Sequence, residues 1–155
     1  MKQPEEIKVV GQNRKALHEF LVHERLEAGI VLVGSEVKSL RDAKVTINEG
    51  WAHIERGEAW LEGISINEYP WANRFNHETK RRRKLLLNKA EIHKLSDKTK
   101  LRGYTLIPLS IYFKDGRAKV EIAIARGRKH ADKRRAIAEK DMARDMARTL
   151  GQKRR

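Results

Sequence analysis

The sequence contains no cysteine, no long apolar run and only three each of Trp, Tyr and Phe in 155 residues. Without cysteine the chain can build neither a disulfide scaffold nor a Cys-ligated zinc site, and thiol catalysis is excluded. No apolar stretch approaches the ~20 residues of a membrane-spanning helix, so no helix should span a membrane, and a membrane is not among the partners we finally expect. Residues 1–10 carry two glutamates and no apolar core, unlike a signal peptide, and we expect a cytoplasmic protein.

Positive charge is what the sequence has in excess. It holds 35 Lys and Arg against 21 Asp and Glu, a formal net charge of +14, which favours a polyanionic partner, either nucleic acid or an anionic membrane. Residues 126–155 alone carry twelve Lys or Arg and four Asp or Glu, and no aromatic residue follows Phe113. Such a segment buries too little apolar surface to offset its ordering entropy. We therefore predict an RNA-binding body at 1–127 and a basic tail at 128–155, disordered when free.

Two stripes in the tail each recur every four residues and lie roughly 200° apart around a helix. The apolar stripe is Met142, Met146 and Leu150, and the basic stripe is Lys140, Arg144 and Arg148. An isolated helix of this length is marginal. The pattern therefore predicts a helix over 136–150 that forms when a polyanion neutralises the basic stripe, with a solvated charged tail as the equal alternative.

Alternating apolar residues predict that the body is mainly β. Strands are expected at Phe20–Val22, Ile30–Val33, Trp51–Ile54, Ala59–Ile66, Tyr104–Phe113 and Ala118–Ala125. Helices are expected at Glu36–Arg41, capped by Ser35, and at Leu85–Leu95. About six short strands with flanking helices indicate a partly open β-barrel of the oligonucleotide-binding (OB) type, and a sandwich is the alternative.

Turn and breaker residues refine this prediction. Asp115-Gly116 and Gly57 stand between alternating runs, which is typical of hairpins. Pro108 cannot donate a ladder hydrogen bond, so its strand should lie at an edge or be bulged there. On the last strand, Val120, Ile122 and Ile124 should point one way, opposite to their neighbours.

Catalytic patterns are weak. None of the six histidines has the spacing of a zinc-binding H-E-x-x-H motif, and the chain has no Walker loop and no G-x-S-x-G. Glu24, Glu27, Glu36 and Asp42 could in principle form the acidic metal site of a nuclease, but scattered carboxylates usually pair with Lys. We expect no enzyme activity, no metal and no cofactor.

Binding patterns are stronger. The segment Asn13-Arg14-Lys15, with two basic residues, precedes His18 and Phe20. Phosphate-binding groups therefore stand beside rings that can stack on bases. The five cations of Lys80–Lys84 open the predicted second helix and suggest an RNA-facing loop together with Asn73, Asn76 and His77. Trp51 and Trp60 lie in strands and are expected in the core, whereas Trp71 lies in a loop and could either pack or stack.

A series of motifs resembles those of one family, in family order, across roughly residues 10–135. The motifs are Asn13–Ala16 with His18, Glu27–Ile30, Gly34–Arg41, Asn76-His77, Arg83–Lys89, Pro108-Leu109, Gly116–Glu121 and Asp132–Arg134. They resemble the bacterial SsrA-binding protein (small protein B, SmpB) family, and the strings E-V-K-S-L-R and R-K-L-L-L-N are long enough to be specific.

The resemblance implies an OB-type barrel without catalytic activity that binds transfer-messenger RNA at the elbow of its tRNA-like part. With elongation factor Tu and GTP, the complex would enter ribosomes stalled on a message without a stop codon, tag the peptide for proteolysis and release the ribosome. The tail would enter the vacant mRNA channel at the small-subunit decoding region, and the protein would act as a monomer. The alternative is a structural RNA-binding protein of the ribosome or its assembly.

The resemblance also assigns residues. The RNA-binding set is Asn13, Arg14, Lys15, His18, Glu27, Arg83, Lys84, Leu86, Asn88 and Lys89. The ribosome-sensing tail is Lys129, His130, Asp132, Lys133 and Arg134, continued by the basic stripe defined above. The chain departs from the family pattern at Ala131, where an aromatic residue or His is common, and has His130 one residue earlier.

Overall fold

The computed structural model describes residues 6–72, 76–128 and 130–153, with backbone only at 130–139 and 152–153. Within these ranges the chain forms nine strands and four helices. In chain order they are β1 (Ile7–Gln12), α1 (Ala16–Glu19), β2 (Phe20–Ile30), α2 (Gly34–Arg41), β3 (Val45–Thr46), β4 (Trp51–Glu55), β5 (Glu58–Glu62), β6 (Ser65–Ile66), β7 (Arg83–Leu86), α3 (Lys89–Thr99), β8 (Tyr104–Lys114), β9 (Arg117–Gly127) and α4 (His130–Lys153).

Seven strands form one antiparallel sheet in the order β1-β8-β4-β5-β7-β2-β9, and β8 also pairs with β9. The pairing therefore runs around a ring of six strands. One link of the ring, between β4 and β8, is reduced to the single pair Ala52 and Leu106. The prediction of a mainly β, partly open barrel is confirmed.

Apolar residues on alternate positions fill the inside of this sheet. Val120, Ile122 and Ile124 of β9 are all buried there, as their alternation predicts. A second, smaller cluster lies on the outside, where Ala16 of α1 packs on Ala123 and its neighbours. The outer cluster fixes α1 against the outer surface of β8 and β9.

The β8–β9 hairpin has the predicted turn and the predicted irregularity. Asp115 and Gly116 have φ values of +50° and +81°, the left-handed conformation that a tight two-residue turn requires. The register between the two strands shifts between Pro108 and Ser110. Because β8 is paired on both sides, the bulge is how the sheet accommodates a residue without an N–H.

The predicted helix at Leu85–Leu95 is wrong in its first half. Arg83–Leu86 is strand β7, which pairs with β5 on one side and β2 on the other. The helix begins only after Asn88, whose side-chain oxygen accepts a hydrogen bond from the N–H of Glu91 at 2.8 Å. The Leu run therefore serves the sheet, because sheet pairing on both sides outweighs its helix propensity.

Three other boundaries differ from prediction. Strand β2 ends at Ile30, so Ile30–Val33 is not a separate strand, and Ala59–Ile66 is split after Glu62. Ser35 does not cap α2: the helix begins at Gly34, and the carboxylate of Glu36 accepts from the N–H of Val33 at 2.9 Å. Ser35 instead bonds to His77.

The predicted tail contains α4, which includes 136–150. Its apolar stripe is exposed, with Met142, Met146 and Leu150 each about two-thirds accessible (66%, 65% and 64%). Disorder of the free tail remains a prediction. Among the described residues, no helix combines the length and apolarity needed to cross a bilayer.

Candidate nucleic-acid interface

The outward residues of β2, β9, β8 and β7 form one continuous surface, which we call the outer face. Glu27 of β2 lies opposite Glu121 of β9, and Gly29 lies between Leu86 of β7 and Lys119 of β9. Its members are Arg25, Glu27, Leu86, Tyr112, Lys114, Lys119 and Glu121. Strand register thus joins Glu27 and Leu86, which are far apart in sequence, on one side of the sheet.

Glu27 is held in a fixed orientation on the outer face. The Tyr112 hydroxyl donates a hydrogen bond to Glu27 Oε2 at 2.5 Å, and Lys114 Nζ lies 3.4 Å from Oε1. The Tyr112 hydrogen bond, together with Lys114 and Lys119, lowers the pKa of the Glu27 carboxyl. Burial and the same carboxylate raise the pKa of Tyr112. The Glu27 carboxylate is therefore ionised at neutral pH. It can accept hydrogen bonds from a ligand in addition to its contact with Lys114.

The α1 region presents three of its four predicted residues. Arg14, Lys15 and His18 are exposed, because Ala16 is the residue that packs on the sheet. Asn13 is only 9% exposed, and its side-chain nitrogen donates to the carbonyl of Pro108 at 3.1 Å. Asn13 ties the start of α1 to the bulge of β8, so its main contact is with the protein itself.

A groove of about 350 Å³ connects α1 with the outer face. Arg14 and Leu17 line it on the α1 side, and Arg25, Ser110 and Glu121 line it on the sheet side. Arg25 is held by Glu121, with 3.2 Å between Nη1 and Oε1. The groove places the predicted cation Arg14 on the same side of the molecule as Glu27.

Arg83 is buried and cannot offer its side chain to RNA, which corrects the sequence prediction. It is 0% exposed, and its Nε donates to Oε2 of Glu36 at 2.6 Å. It also donates to the carbonyl of Thr79 at 3.0 Å. Burial alone would raise the pKa of Glu36, but the Val33 N–H, Arg81 and Arg83 outweigh it and lower that pKa. The pair joins α2 to β7.

The rest of the β7 segment remains accessible. Leu86 is 55% exposed and stands beside Gly29, where an added Cβ would lie 3.1 Å from that of Leu86. Asn88 and Lys89 are exposed at the start of α3. Lys84 is half-exposed and lies 3.1 Å from the carboxylate of Glu58.

The basic run Lys80–Lys84 is mostly neutralised within the protein. Arg81 and Arg83 bind Glu36, Lys84 binds Glu58, and Arg82 binds Glu55 at 2.8 Å. The neighbouring Asn76 bonds to both backbone groups of Tyr69, and His77 is buried. Of this segment only Arg83 and His77 are buried among the described residues, so an RNA-facing loop stays a prediction for its exposed cations, and Asn73 lies outside the described residues.

Two of the three tryptophans depart from expectation, whereas the sequence leaves the placement of Trp71 open. Trp51 is 46% exposed rather than in the core. Trp60 is half-buried on the outside of β5, with the guanidinium of Arg82 3.8 Å from its ring centre. Trp71 is 80% exposed in its loop. The strand pattern predicted their elements correctly but not the side of the sheet on which they lie.

Three of the four carboxylates considered for a nuclease site are held by separate partners. Glu24 pairs with Lys94, Glu27 with Tyr112 and Lys114, and Glu36 with the two arginines described above. In the described ranges, no three His, Asp or Glu side chains come together in a metal-binding arrangement.

The structure describes the side chains of only some of the predicted tail residues. Lys140, Arg144 and Arg148 are exposed on α4. His130, Asp132, Lys133 and Arg134 lie on the α4 backbone, and Lys129 falls outside the described residues. The tail begins against α1, because the N–H of Arg128 donates to the carbonyl of Glu19 at 2.9 Å.

Sequence reasoning missed Arg25, Tyr112, Lys114 and Lys119 as members of the outer face. The available signal was strand alternation, since each lies two residues from another outward residue. What alternation could not supply was the pairing of β2, β9 and β8 that brings them beside Glu27.

Comparison with known proteins identifies the family. The family model described as SmpB protein matches residues 10–152. The chain belongs to the SmpB family. Family relatives include the SsrA-binding protein of Parafrankia sp. (strain EAN1pec), 53% identical over 93% of this chain and 91% of the relative. That of Desulforudis audaxviator (strain MP104C) is 54% identical over 91% and 92%.

A solved structure of the family is also similar. It is described as "tmRNA-SmpB: a journey to the center of the bacterial ribosome". The match covers 81% of this chain and 92% of that one, with 42% sequence identity and a TM-score of 0.66.

Proposed function

We propose that this protein binds transfer-messenger RNA and delivers it to stalled ribosomes for trans-translation, which rescues the ribosome and tags the incomplete peptide. The observation that carries the proposal is the family membership, with relatives named SsrA-binding protein and a solved neighbour described as tmRNA-SmpB in the ribosome. The exposed motif residues of the outer face and α1 supply a surface suited to structured RNA.

The outer face and the adjoining α1 region together offer three kinds of RNA contact. Arg14, Lys15 and Lys119 offer cations to phosphates, which supply most of the affinity for RNA. Glu27 offers a fixed carboxylate, which can accept from a ribose hydroxyl or a base amino group where a cation cannot. Leu86 offers an exposed apolar side chain beside Gly29. This mixture favours recognition of a particular RNA shape over indiscriminate phosphate binding.

The tail supplies the second half of the proposed function. Residues 128–155 enter the mRNA channel when no message fills it, with the segment from Lys129 to Arg134 at the decoding region and the basic stripe further along the channel. A channel lined by RNA attracts a cationic segment, and ordering on entry is offset by phosphate contacts. Arg128 bonded to Glu19 places the start of the tail beside the RNA-binding residues of α1.

In the proposed function, the protein acts as a cytoplasmic monomer and needs no catalysis, metal or cofactor. Elongation factor Tu with GTP is an indirect partner, through the bound RNA. No group in this arrangement needs to form or break a bond, because recognition alone delivers the RNA.

The test is to purify the tagged protein from cells and sequence the RNA bound to it. We expect transfer-messenger RNA to be enriched over bulk ribosomal RNA. The matched variant is Glu27→Gln, which keeps the shape but removes the charge, and we expect it to lose about tenfold or more in affinity, the value of a hydrogen bond to a charged group. Equal retention of both RNAs would favour a structural ribosomal role.

A further inference from the structure

Trp51 belongs to neither the core nor the outer face. It lies on β4, and the six-membered ring of its indole packs directly against Gly63. A Cβ at position 63 would lie 2.6 Å from Cζ3 and 2.8 Å from Cε3 of this ring. Trp51 is nevertheless 46% exposed. Contact on one side and exposure on the other make it a supported aromatic platform.

The backbone around the platform is also fixed. Gly50 is buried, and a Cβ there would lie 2.7 Å from Cγ2 of Ile64 and 2.8 Å from Cγ of Pro108. Gly63 has a φ of +76°, which other residues rarely adopt. Neither position accepts a side chain: Gly63 allows the close approach to the Trp51 indole, and Gly50 allows the backbone before Trp51 to pack on Ile64 and Pro108.

Trp51 lines a cavity of about 200 Å³ between β4 and α1. The cavity is smaller than the roughly 300–1,000 Å³ of typical small-molecule sites, so it suits a single ring system. Asn48 and Glu49 line it beside Trp51, and Glu19 and Phe20 line it from the other side. Its lining, as far as the chain is described, contains carboxylates and amides and no Lys or Arg.

This lining selects against phosphate. Two carboxylates repel an anion, and they accept hydrogen bonds from amino groups. A cationic side chain of a partner protein would also satisfy them, but a protein of net charge +14 repels cationic partners and attracts RNA. On the adjoining α1 segment, Arg14 and Lys15 are exposed and can hold the phosphates that flank an inserted base.

We propose that the cavity between Trp51 and α1 binds one unpaired nucleobase of RNA, stacked on the Trp51 indole, with its amino group donating to Glu19 or Glu49. Adenine, cytosine and guanine carry an exocyclic amino group, whereas uracil has none, and its N3–H donor lies between two carbonyl oxygens that the carboxylates repel. The proposal rests on the proposed RNA-binding function and names a second contact, separate from Glu27 and Leu86.

The direct test uses the full chain with Trp60→Phe and Trp71→Phe, so that Trp51 is the remaining indole of the three. Short single-stranded oligoadenylate and oligocytidylate should quench its fluorescence and bind more tightly than oligouridylate of equal length. Absence of quenching, or equal binding of all three, would overturn the proposal. This measurement keeps Trp51 and so does not depend on the folding of a variant lacking it.

The second test compares variants in the wild-type background. Trp51→Ala should weaken oligoadenylate binding by about tenfold or more, in line with the loss of one stacked base, while Trp51→Phe retains most of the affinity. The matched control is Trp71→Ala, which removes the more exposed indole and should have no effect. Wild-type affinity in Trp51→Ala would refute the base site. A failure of the proposed function can be told apart from a failure of the base site, because the wild-type protein would then show no preference for transfer-messenger RNA.

Discussion

At the scale of single residues, the clearest feature of the interface is a carboxylate in a protein of net charge +14. Glu27 is oriented by Tyr112 and Lys114 from β8, which lies on the far side of β9, so its position depends on the fold as well as on the local motif. Arg83 is the converse case. Its motif suggests an RNA contact, yet its burial with Glu36 makes it part of the scaffold.

Replacing Tyr112 with Phe should raise the pKa of Glu27 toward its ordinary value of about 4.3, because the Tyr112 hydrogen bond is the main cause that lowers it. In the native protein the folded pKa lies below the unfolded one. The stabilisation is therefore full above the unfolded value and lost as pH falls through the folded value. An NMR titration of the Glu27 side-chain carboxyl checks this, with Tyr69→Phe as control. An unchanged titration in Tyr112→Phe would contradict it.

Replacing Arg83 with Met should lower the free energy of unfolding by up to about 3–5 kcal/mol, because the buried carboxylate of Glu36 loses its buried partner and keeps only Arg81 and the N–H of Val33. Urea unfolding measures the change. Lys84→Met is the control, since the exposed Lys84–Glu58 pair should be worth no more than about 1 kcal/mol. Adding Glu36→Leu to the Arg83 variant should recover part of the loss. Equal, small effects of both single variants would show that the pair is not a structural anchor.

At the scale of elements, local chemistry determined what could be predicted. The β8–β9 hairpin follows from Asp115-Gly116, and the bulge follows from Pro108, because each residue restricts its own backbone. The Leu85–Leu87 run could not be assigned locally, since its strand forms only between β5 and β2. Likewise, the Trp51 indole packs on Gly63, which follows the end of β5. No short window of sequence reveals this contact.

A proline at Met142 should break α4, at a cost of about 3 kcal/mol or more in helix stability. Met142 is 66% exposed, so loss of packing within the protein is not the cause of any effect. We expect peptide tagging to fail while transfer-messenger RNA binding by the body is kept, and Met142→Ala to tag normally. Circular dichroism of the variant with and without ribosomes reports the helix, and full tagging by Met142→Pro would argue against a helical tail.

At the scale of the whole molecule, two parts of the chain have different surfaces. The body up to Gly127 carries an outer face that mixes acceptors, cations and apolar groups around Glu27. The α4 segment is exposed along its apolar and basic stripes, at Met142 and Arg144 for example. Its start is bonded to α1 through Arg128 and Glu19. This arrangement suits a body that holds one RNA while the helical extension probes another site.

Deleting residues 128–155 tests this division most directly, with transfer-messenger RNA affinity and the tagging of peptides on stalled ribosomes measured side by side. The account predicts near-normal RNA affinity and little or no tagging for the shortened chain. Tagging at the full-length rate, or loss of RNA binding together with tagging, would contradict the claim that body and tail have separate roles.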